Sequence, residues 1–219
     1  MTVPSREEAA RLLLSLDAPP WHVRHSRAVA EIAGWLALRI AQAPARDAGE
    51  PGTANPGRVD RQLVEAAALL HDVDKARPRA LRGDGRHGDA GAEWLAAHGH
   101  PELGEVVALH PVTRLVDATE AKRVFRAPLE ARILAYADKR AAQRLQPMAA
   151  RFARWRRRHP ADRPGGWSDA TAEATWRRAL ELEREICALA RCRPDEVSRL
   201  RWTRRAIASA ERAAAAAGG

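Results

Sequence analysis

The stretch LLHDVDK at residues 69–75 ends an apolar helical segment with polar side chains. Before it, Val64, Ala68 and His71 follow the spacing of one helical face, and most of their neighbours are also apolar. Asp72 comes directly after His71. A carboxylate beside an apolar face is costly to bury unless a partner compensates its charge. The stretch therefore indicates a helix end that needs a cation.

Other helical segments repeat this arrangement, each placing a histidine or an aspartate on an apolar stripe or at a helix end. These residues are His25, which heads the stripe through Ile40; His87, which opens the segment with Gly91 and Trp94; His110, which ends the stripe from Leu103; and Asp138, on the stripe from Ala131. Imidazole and carboxylate are ligands that Fe, Mn, Zn and Co accept. A helix C-terminus such as that at His71 also favours a cation. One interpretation covers the whole set, namely a divalent metal site.

The fold class follows from the periodicity of the chain. Strand signals are nearly absent, with one Tyr and two Phe in 219 residues, whereas helical periodicity recurs throughout. Ser5 and Glu8 form the pattern of a capping box for a first helix, and Asp60 can cap a later one. The sequence predicts an all-α, compact helical bundle at residues 1–146. It also predicts a basic helical C-terminal extension at residues 147–219 that packs on the bundle.

The positive charge of the chain lies in its C-terminal third. The net charge is +9, yet residues 1–138 hold 18 Lys and Arg against 19 Asp and Glu. The remaining residues hold 19 against 9, and they interleave arginines with Trp155, Trp167, Trp176 and Trp202. Such a tract suits nucleic-acid binding through stacking and phosphate contacts. The alternative is ordinary helical packing with arginines on the outer face.

Several protein classes do not fit the sequence. No apolar run approaches the roughly 18 residues that span a bilayer, and the first 16 residues lack a signal-peptide core. Cys187 and Cys192 do not form a CxxC pair. No phosphate-cradling GxxxxGK loop and no nucleophile elbow occur. We expect a cytoplasmic protein without a membrane partner.

Five segments together resemble the HD-domain superfamily of metal-dependent phosphohydrolases. They are HSRAVA at 25–30, LLHDVDK at 69–75, HGDAGAE at 87–93, VVALH at 106–110 and AYADK at 135–139, and the likeness runs from about residue 21 to 144. The third segment resembles the HDIG-type branch. The nearest branch holds bacterial symmetrical diadenosine tetraphosphate hydrolases, although Asp74 stands where Gly is common there.

The resemblance implies a ligand set. His25, His71, Asp72 and Asp138 would hold one metal ion, and Asp72 would bridge to a second ion completed by His87 and His110. We expect one or two divalent ions per chain. Fe or Mn is favoured, with Zn, Co, Ni and Mg as alternatives. The family fold is a compact helical bundle, in agreement with the periodicity.

A metal site of this kind would hydrolyse phosphate bonds. Metal binding lowers the pKa of water from about 15.7 to about 7 and supplies hydroxide near neutral pH. Asp72 and Lys75 are the predicted catalytic residues, with Lys75 directed at the phosphate. Lys75, Arg79, Lys139 and Arg140 are predicted to bind substrate phosphate. His22, three residues before His25, is expected at the rim of the site.

The predicted function is hydrolysis of a phosphoester or phosphoanhydride in a nucleotide-type substrate, with a dinucleoside polyphosphate as the specific candidate. One alternative is a phosphodiesterase that acts on RNA ends or cyclic phosphates. A second is a non-catalytic, metal-bearing module that binds nucleic acid or protein, and a third is a di-iron oxygenase. The complete ligand set favours an enzyme. Lys75 and the many arginines favour a phosphate substrate.

Overall fold

The computed structural model describes residues 3–43, 59–76 and 86–217. Within these ranges the regular elements are helical, apart from an isolated bridge between Ala141 and Leu145. The α-helices are α1 (Arg6–Ser15), α2 (Pro20–Gln42), α3 (Arg61–Leu70), α4 (Val73–Ala76), α5 (Asp89–Ala97), α6 (Pro101–Ala108), α7 (Ala118–Arg126), α8 (Leu129–Lys139), α9 (Met148–Arg158), α10 (Asp169–Leu189) and α11 (Thr203–Ala217). Short 3-10 turns occupy Val112–Leu115 and Pro194–Glu196. The prediction of an all-α bundle is confirmed.

The helix starts follow the predicted caps. At α1, Ser5 Oγ accepts the Glu8 N–H at 3.3 Å, while Glu8 Oε2 accepts the Ser5 N–H at 2.7 Å. At α3, Asp60 accepts the Leu63 N–H at 3.0 Å. Such caps satisfy amide groups that the first turn of a helix leaves without partners. They fix where α1 and α3 begin.

Helix α8 is shorter than the sequence predicts. The helical spacing of apolar residues predicts a helix over 129–145, but α8 ends at Lys139, and the Gln146 N–H then donates to the Arg140 carbonyl at 2.8 Å. The early end leaves the Ala142 carbonyl outside a helix, where it accepts the Nδ1–H of His25. The sequence analysis did not predict α7, a mostly polar helix in which Ala121 and Val124 are buried and Phe125 packs against the core.

The long helix α2 runs through the centre of the bundle. It packs against α3 and α8, and α3 in turn packs against α6 and α8. Fully buried aliphatic side chains such as Ile32, Leu36, Leu69 and Leu134 fill the space between them. Burial of each stabilises the fold by about 1.5–3 kcal/mol. This packing brings together the ends of α2, α3, α6 and α8 that carry polar side chains.

The C-terminal helices pack on the bundle. Helix α11 lies against α1 and α2, and α10 lies against α8. The Tyr136 hydroxyl of α8 donates to Glu183 of α10 at 2.8 Å. One apolar core continues into the extension. The division of the chain at residue 146 stays a prediction.

None of the described helices combines the length and the apolar character that crossing a membrane requires.

Candidate metal centre

The six predicted ligands come together at the polar ends of the central helices. They are His25 in the first turns of α2, His71 at the C-cap of α3, Asp72 in the turn that follows, His87 just before α5, His110 just after α6 and Asp138 near the end of α8. All are buried except His87, whose side chain is 28% exposed. The fold thus brings together five segments of the chain, one of which supplies the adjacent residues His71 and Asp72.

His25, His71 and Asp72 form the first group, and Asp138 adjoins it. His25 Nε2 lies 3.2 Å from His71 Nε2 and 3.3 Å from Asp138 Oδ1. His71 Nε2 lies 3.5 Å from Asp72 Oδ1. The ligand atoms of His25, His71 and Asp72 all lie within 4.8 Å of one another. These separations suit ligands that surround one ion.

Asp72, His87 and His110 form the second group. Asp72 Oδ1 lies 3.3 Å from Nε2 of both histidines, and the two Nε2 atoms are 3.1 Å apart. The three ligand atoms also lie within 4.8 Å of one another. A second ion would therefore have three protein ligands here.

The two groups share Asp72. Its Oδ2 faces His25 at 3.5 Å, and its Oδ1 faces His87 and His110. Oδ1 also faces His71 of the first group at 3.5 Å, so this carboxylate contacts histidines of both groups. This arrangement is suited to bridging a pair of ions.

Hydrogen bonds at Nδ1 determine which ring nitrogen of three of these histidines carries the proton. The Nδ1–H groups of His25, His71 and His110 donate to the carbonyls of Ala142, Ala68 and Val107 respectively. A carbonyl oxygen can only accept, so the proton of each ring must lie on Nδ1, and Nε2 of the neutral ring carries a bare lone pair. Such outer hydrogen bonds accompany most metal-ligating histidines.

The inner nitrogens then face one another at short range. The pairs His25–His71 and His87–His110 bring Nε2 atoms to 3.2 and 3.1 Å, distances at which two lone pairs repel unless a cation or proton lies between them. A divalent ion at each group removes this repulsion and takes up the lone pairs. The donor set of the chain therefore fits the metal that the sequence predicts.

The electrostatics of the site favour cation binding. Burial lowers the pKa of His71 to about 3 and also lowers that of His110, which keeps both rings neutral. Burial opposes ionisation of Asp72 and Asp138, but Lys75 beside Asp72, with His25 and Arg151 beside Asp138, holds both carboxyl pKa values well below their usual range. The same carboxylates outweigh burial at His25 and raise its pKa, so a metal ion there would displace a proton from that ring. Neutral imidazole and ionised carboxylate are the forms that bind metal.

Lys75 lies beside the shared carboxylate. Its Nζ donates to Asp72 Oδ1 at 2.9 Å, and 34% of its side chain is exposed. The Lys75 side chain therefore extends from the candidate metal centre to solvent, on the same side as the partly exposed His87. Arg79, also predicted to bind phosphate, lies outside the described residues.

Two residues predicted to bind phosphate, Lys139 and Arg140, are buried and have protein partners in the structure, which argues against that role. Lys139 is fully buried, and its Nζ donates to the carbonyls of His110 at 3.1 Å and Ala135 at 2.9 Å. Arg140 is buried too, and donates to the Tyr136 hydroxyl at 2.6 Å and the Gln146 carbonyl at 3.1 Å. Both cations are already enclosed by protein acceptors, so neither can reach a substrate.

His22 is not at the rim, as the sequence suggested. It is fully buried, and its Nε2–H donates to the Asp72 backbone carbonyl at 2.9 Å. The hydrogen bond ties the turn that carries Asp72 to α2. Its position three residues before His25, on nearly the same helical face, was the available signal.

Two further residues support the ligands. Asp74 Oδ2 accepts the Nδ1–H of His87 at 2.7 Å, and Arg151 Nη2 donates to Asp138 Oδ1 at 3.3 Å. Asp74 could have been noticed because it replaces a common Gly in its motif. Arg151 lies in the C-terminal extension, where the sequence offered no motif.

The tryptophans of the basic third pack inward. Trp155, Trp167 and Trp202 are buried, and Phe152 contacts the rings of Trp155 and Trp176 with centroids 4.9 and 4.8 Å apart. Rings enclosed in a core cannot stack on bases. The arrangement favours the packing interpretation of this tract.

Comparison with known families and structures gives one match. A family model described as HD domain matches residues 23–143, which is more than half of the chain and includes all six candidate ligands. No curated protein and no solved structure matches the chain significantly.

Proposed function

The chain belongs to the HD-domain family of metal-dependent hydrolases, and from this premise we propose that it is a two-metal phosphohydrolase acting on a nucleotide-type substrate. The observation that carries the two-metal part is the position of Asp72. Its Oδ2 faces His25, and its Oδ1 faces His71 of the first group as well as His87 and His110 of the second. A site for one ion would not need this second set of ligands.

The residues would divide between two ions. His25, His71, Asp72 and Asp138 would hold one ion, and Asp72, His87 and His110 the other. When bound, such a pair supplies a nucleophilic hydroxide near neutral pH and screens the phosphate oxygens. Imidazole and carboxylate without a thiolate suit Fe or Mn, and Zn remains the main alternative.

The surrounding side chains set the charge of the centre. Three carboxylates, those of Asp72, Asp74 and Asp138, face two cations, Lys75 and Arg151. Two divalent ions would make this set net positive, because four imidazoles add no charge. An anionic substrate would then be attracted to a site of opposite sign.

The exposed side of the centre indicates where substrate enters. The side chains of Lys75 and His87 are 34% and 28% exposed, whereas those of His71 and Asp72 are 0% and 2% exposed. Lys75 can therefore donate from Nζ to a phosphate oxygen that approaches from solvent. We assign it this role, and Asp72 the role of bridging ligand. A dinucleoside polyphosphate is the specific substrate we propose.

Hydrolysis assays test this proposal. The full chain, purified without oxygen and loaded with Fe or Mn, would be assayed on nucleotides, dinucleoside polyphosphates, cyclic phosphates and RNA with a terminal phosphate. We expect hydrolysis of one of these classes, followed as nucleotide products or released phosphate, abolished in His87→Ala and retained in His98→Ala, a matched exposed histidine at the end of α5. No hydrolysis of any member by metal-loaded protein would contradict the proposal.

The same assays separate the alternatives. Hydrolysis only of cyclic phosphates or RNA ends would establish the phosphodiesterase, and metal binding without any turnover would establish a non-catalytic module. The inward packing of the tryptophans gives no support to an RNA-stacking surface. For this reason we place the nucleotide substrate first.

A further inference from the structure

The C-terminal extension contributes a cation to the metal centre. Arg151 lies in α9, outside the span that matches the HD-domain family, and is only 8% exposed. Its Nη2 donates to Asp138 Oδ1 at 3.3 Å. The same carboxylate oxygen faces His25 Nε2 at 3.3 Å and His71 Nε2 at 3.9 Å. The guanidinium therefore borders the first ligand group.

The guanidinium of Arg151 is held in place, but not all of its N–H donors have a hydrogen-bond acceptor. Its Cζ lies 4.7 Å from the ring centroid of Trp155, which fixes the plane of the group by a cation–π contact. Its Nε is buried and finds no acceptor within the described residues. A buried donor without an acceptor is costly. Nε is too enclosed to contact a substrate, but Nη1 forms no hydrogen bond within the described residues and is not enclosed in this way, so it can meet an anionic partner.

The charge at this position also needs explanation. A metal ion held by His25, His71, Asp72 and Asp138 would lie close to Arg151, and two neighbouring cations repel. Arg151 helps to keep Asp138 ionised, but its charge also repels an ion bound to the same carboxylate oxygen. An anion that contacts both the ion and the guanidinium removes the conflict, and phosphate oxygens match the planar donors of arginine.

We propose that Arg151 binds a non-bridging phosphate oxygen of the substrate at the Asp138 end of the metal centre. This inference rests on the proposed phosphohydrolase function and names the residue that completes its substrate site. It gives the extension a role in the site and replaces Lys139 and Arg140, whose cations are turned to other partners. Because Arg151 touches a ligand, the rival role is merely to position Asp138.

Phosphate binding separates the two roles. Inorganic phosphate would be titrated by calorimetry into the full chain loaded with Mn, and manganese content would be measured in the same samples. Arg151→Gln is compared with Arg157→Gln, an exposed arginine of the same helix. We expect Arg151→Gln to weaken phosphate binding by about tenfold or more, as for loss of a charge-assisted hydrogen bond, with manganese content unchanged. Arg157→Gln should match the parent chain.

Each other result overturns the inference. Unchanged phosphate affinity in Arg151→Gln would show that the guanidinium does not bind phosphate, and loss of manganese would show that it positions Asp138. If Arg151→Gln does not fold, Arg151→Lys serves, because it keeps the charge but loses the planar donors. Phosphate affinity equal to that of the parent in Arg151→Lys would also contradict the assignment. Failure of hydrolysis on every substrate is a separate result, since phosphate titration requires no turnover.

Discussion

Asp74 Oδ2 accepts a 2.7 Å hydrogen bond from Nδ1 of His87, the most exposed of the candidate ligands. The other ligating histidines donate to backbone carbonyls, which the fold supplies without any particular side chain. His87 lies just before α5, and its proton position depends on a carboxylate. Asp74 therefore orients the ligand that completes the second group.

Substitution of Asp74 should affect the second ion selectively. Asp74→Ala removes the acceptor and should weaken binding of that ion by about 10- to 100-fold, as for loss of an outer-shell partner. Asp74→Asn keeps an acceptor oxygen and should retain most of the affinity. Manganese titration of the two variants provides the measurement. Equal affinity for both ions in Asp74→Ala and in the parent chain would contradict this role.

His22 should contribute mainly to stability. His22→Ala removes the donor to the buried Asp72 carbonyl, and an unsatisfied buried group costs about 1–3 kcal/mol. The free energy of unfolding, measured in urea, should fall by that amount or more, because a cavity is also created. His22→Gln, which retains a donor, should lose less. A rim position would instead predict no change in stability for either variant.

Lys139 gives a prediction that distinguishes structural from substrate contacts. Lys139→Met keeps the length of the side chain but leaves the His110 and Ala135 carbonyls without their donor. We expect a loss of about 1–3 kcal/mol in unfolding free energy. The KM for substrate should stay near that of the parent chain. A raised KM with unchanged stability would restore Lys139 as a phosphate ligand.

Metal removal should destabilise the chain. Without a cation, the His25–His71 and His87–His110 contacts bring lone pairs together, and the carboxylates lose compensating charge. Treatment with EDTA should lower Tm, and added Mn should restore it, with a gain of about 2.7 kcal/mol per site at a free concentration 100 times Kd. Mg at the same concentration should restore less, because it prefers oxygen ligands. A Tm indifferent to EDTA would contradict a metal bound in this centre.

The sequence predicts which polar side chains come together because their orientation on each helix is a local property. A histidine or aspartate on an apolar stripe must point into the core, and helix ends in one bundle meet at shared positions. His25, His71 and Asp138 follow from this reasoning, and the structure places them together. The caps at Ser5 and Asp60 are equally local, and both are confirmed.

Reasoning from one apolar face of a helix fails where the other faces of that helix are buried too. Helix α8 is buried on nearly every side, so Lys139 next to Asp138 points into protein and not toward a substrate. His22 is hidden for the same reason on α2. A one-sided stripe cannot show whether the opposite face is also covered. That depends on packing between segments far apart in the chain.

The contact between Arg151 and Asp138 depends entirely on tertiary packing, so the sequence pattern could not predict it. It comes from α9, which carries several arginines, and nothing in their spacing separates it from exposed neighbours such as Arg157. Only the packing of α9 brings its guanidinium to Asp138. The early end of α8, which frees the chain to turn back, is what permits that packing.

The position of the ions tests the central claim most directly. A crystal structure of the Mn-loaded chain, with anomalous data collected at the manganese edge, would locate each ion without reference to activity. We predict two anomalous peaks about 3.5–4 Å apart on either side of the Asp72 carboxylate, as in two-metal sites. A single peak, or peaks that do not contact Asp72, would contradict the account.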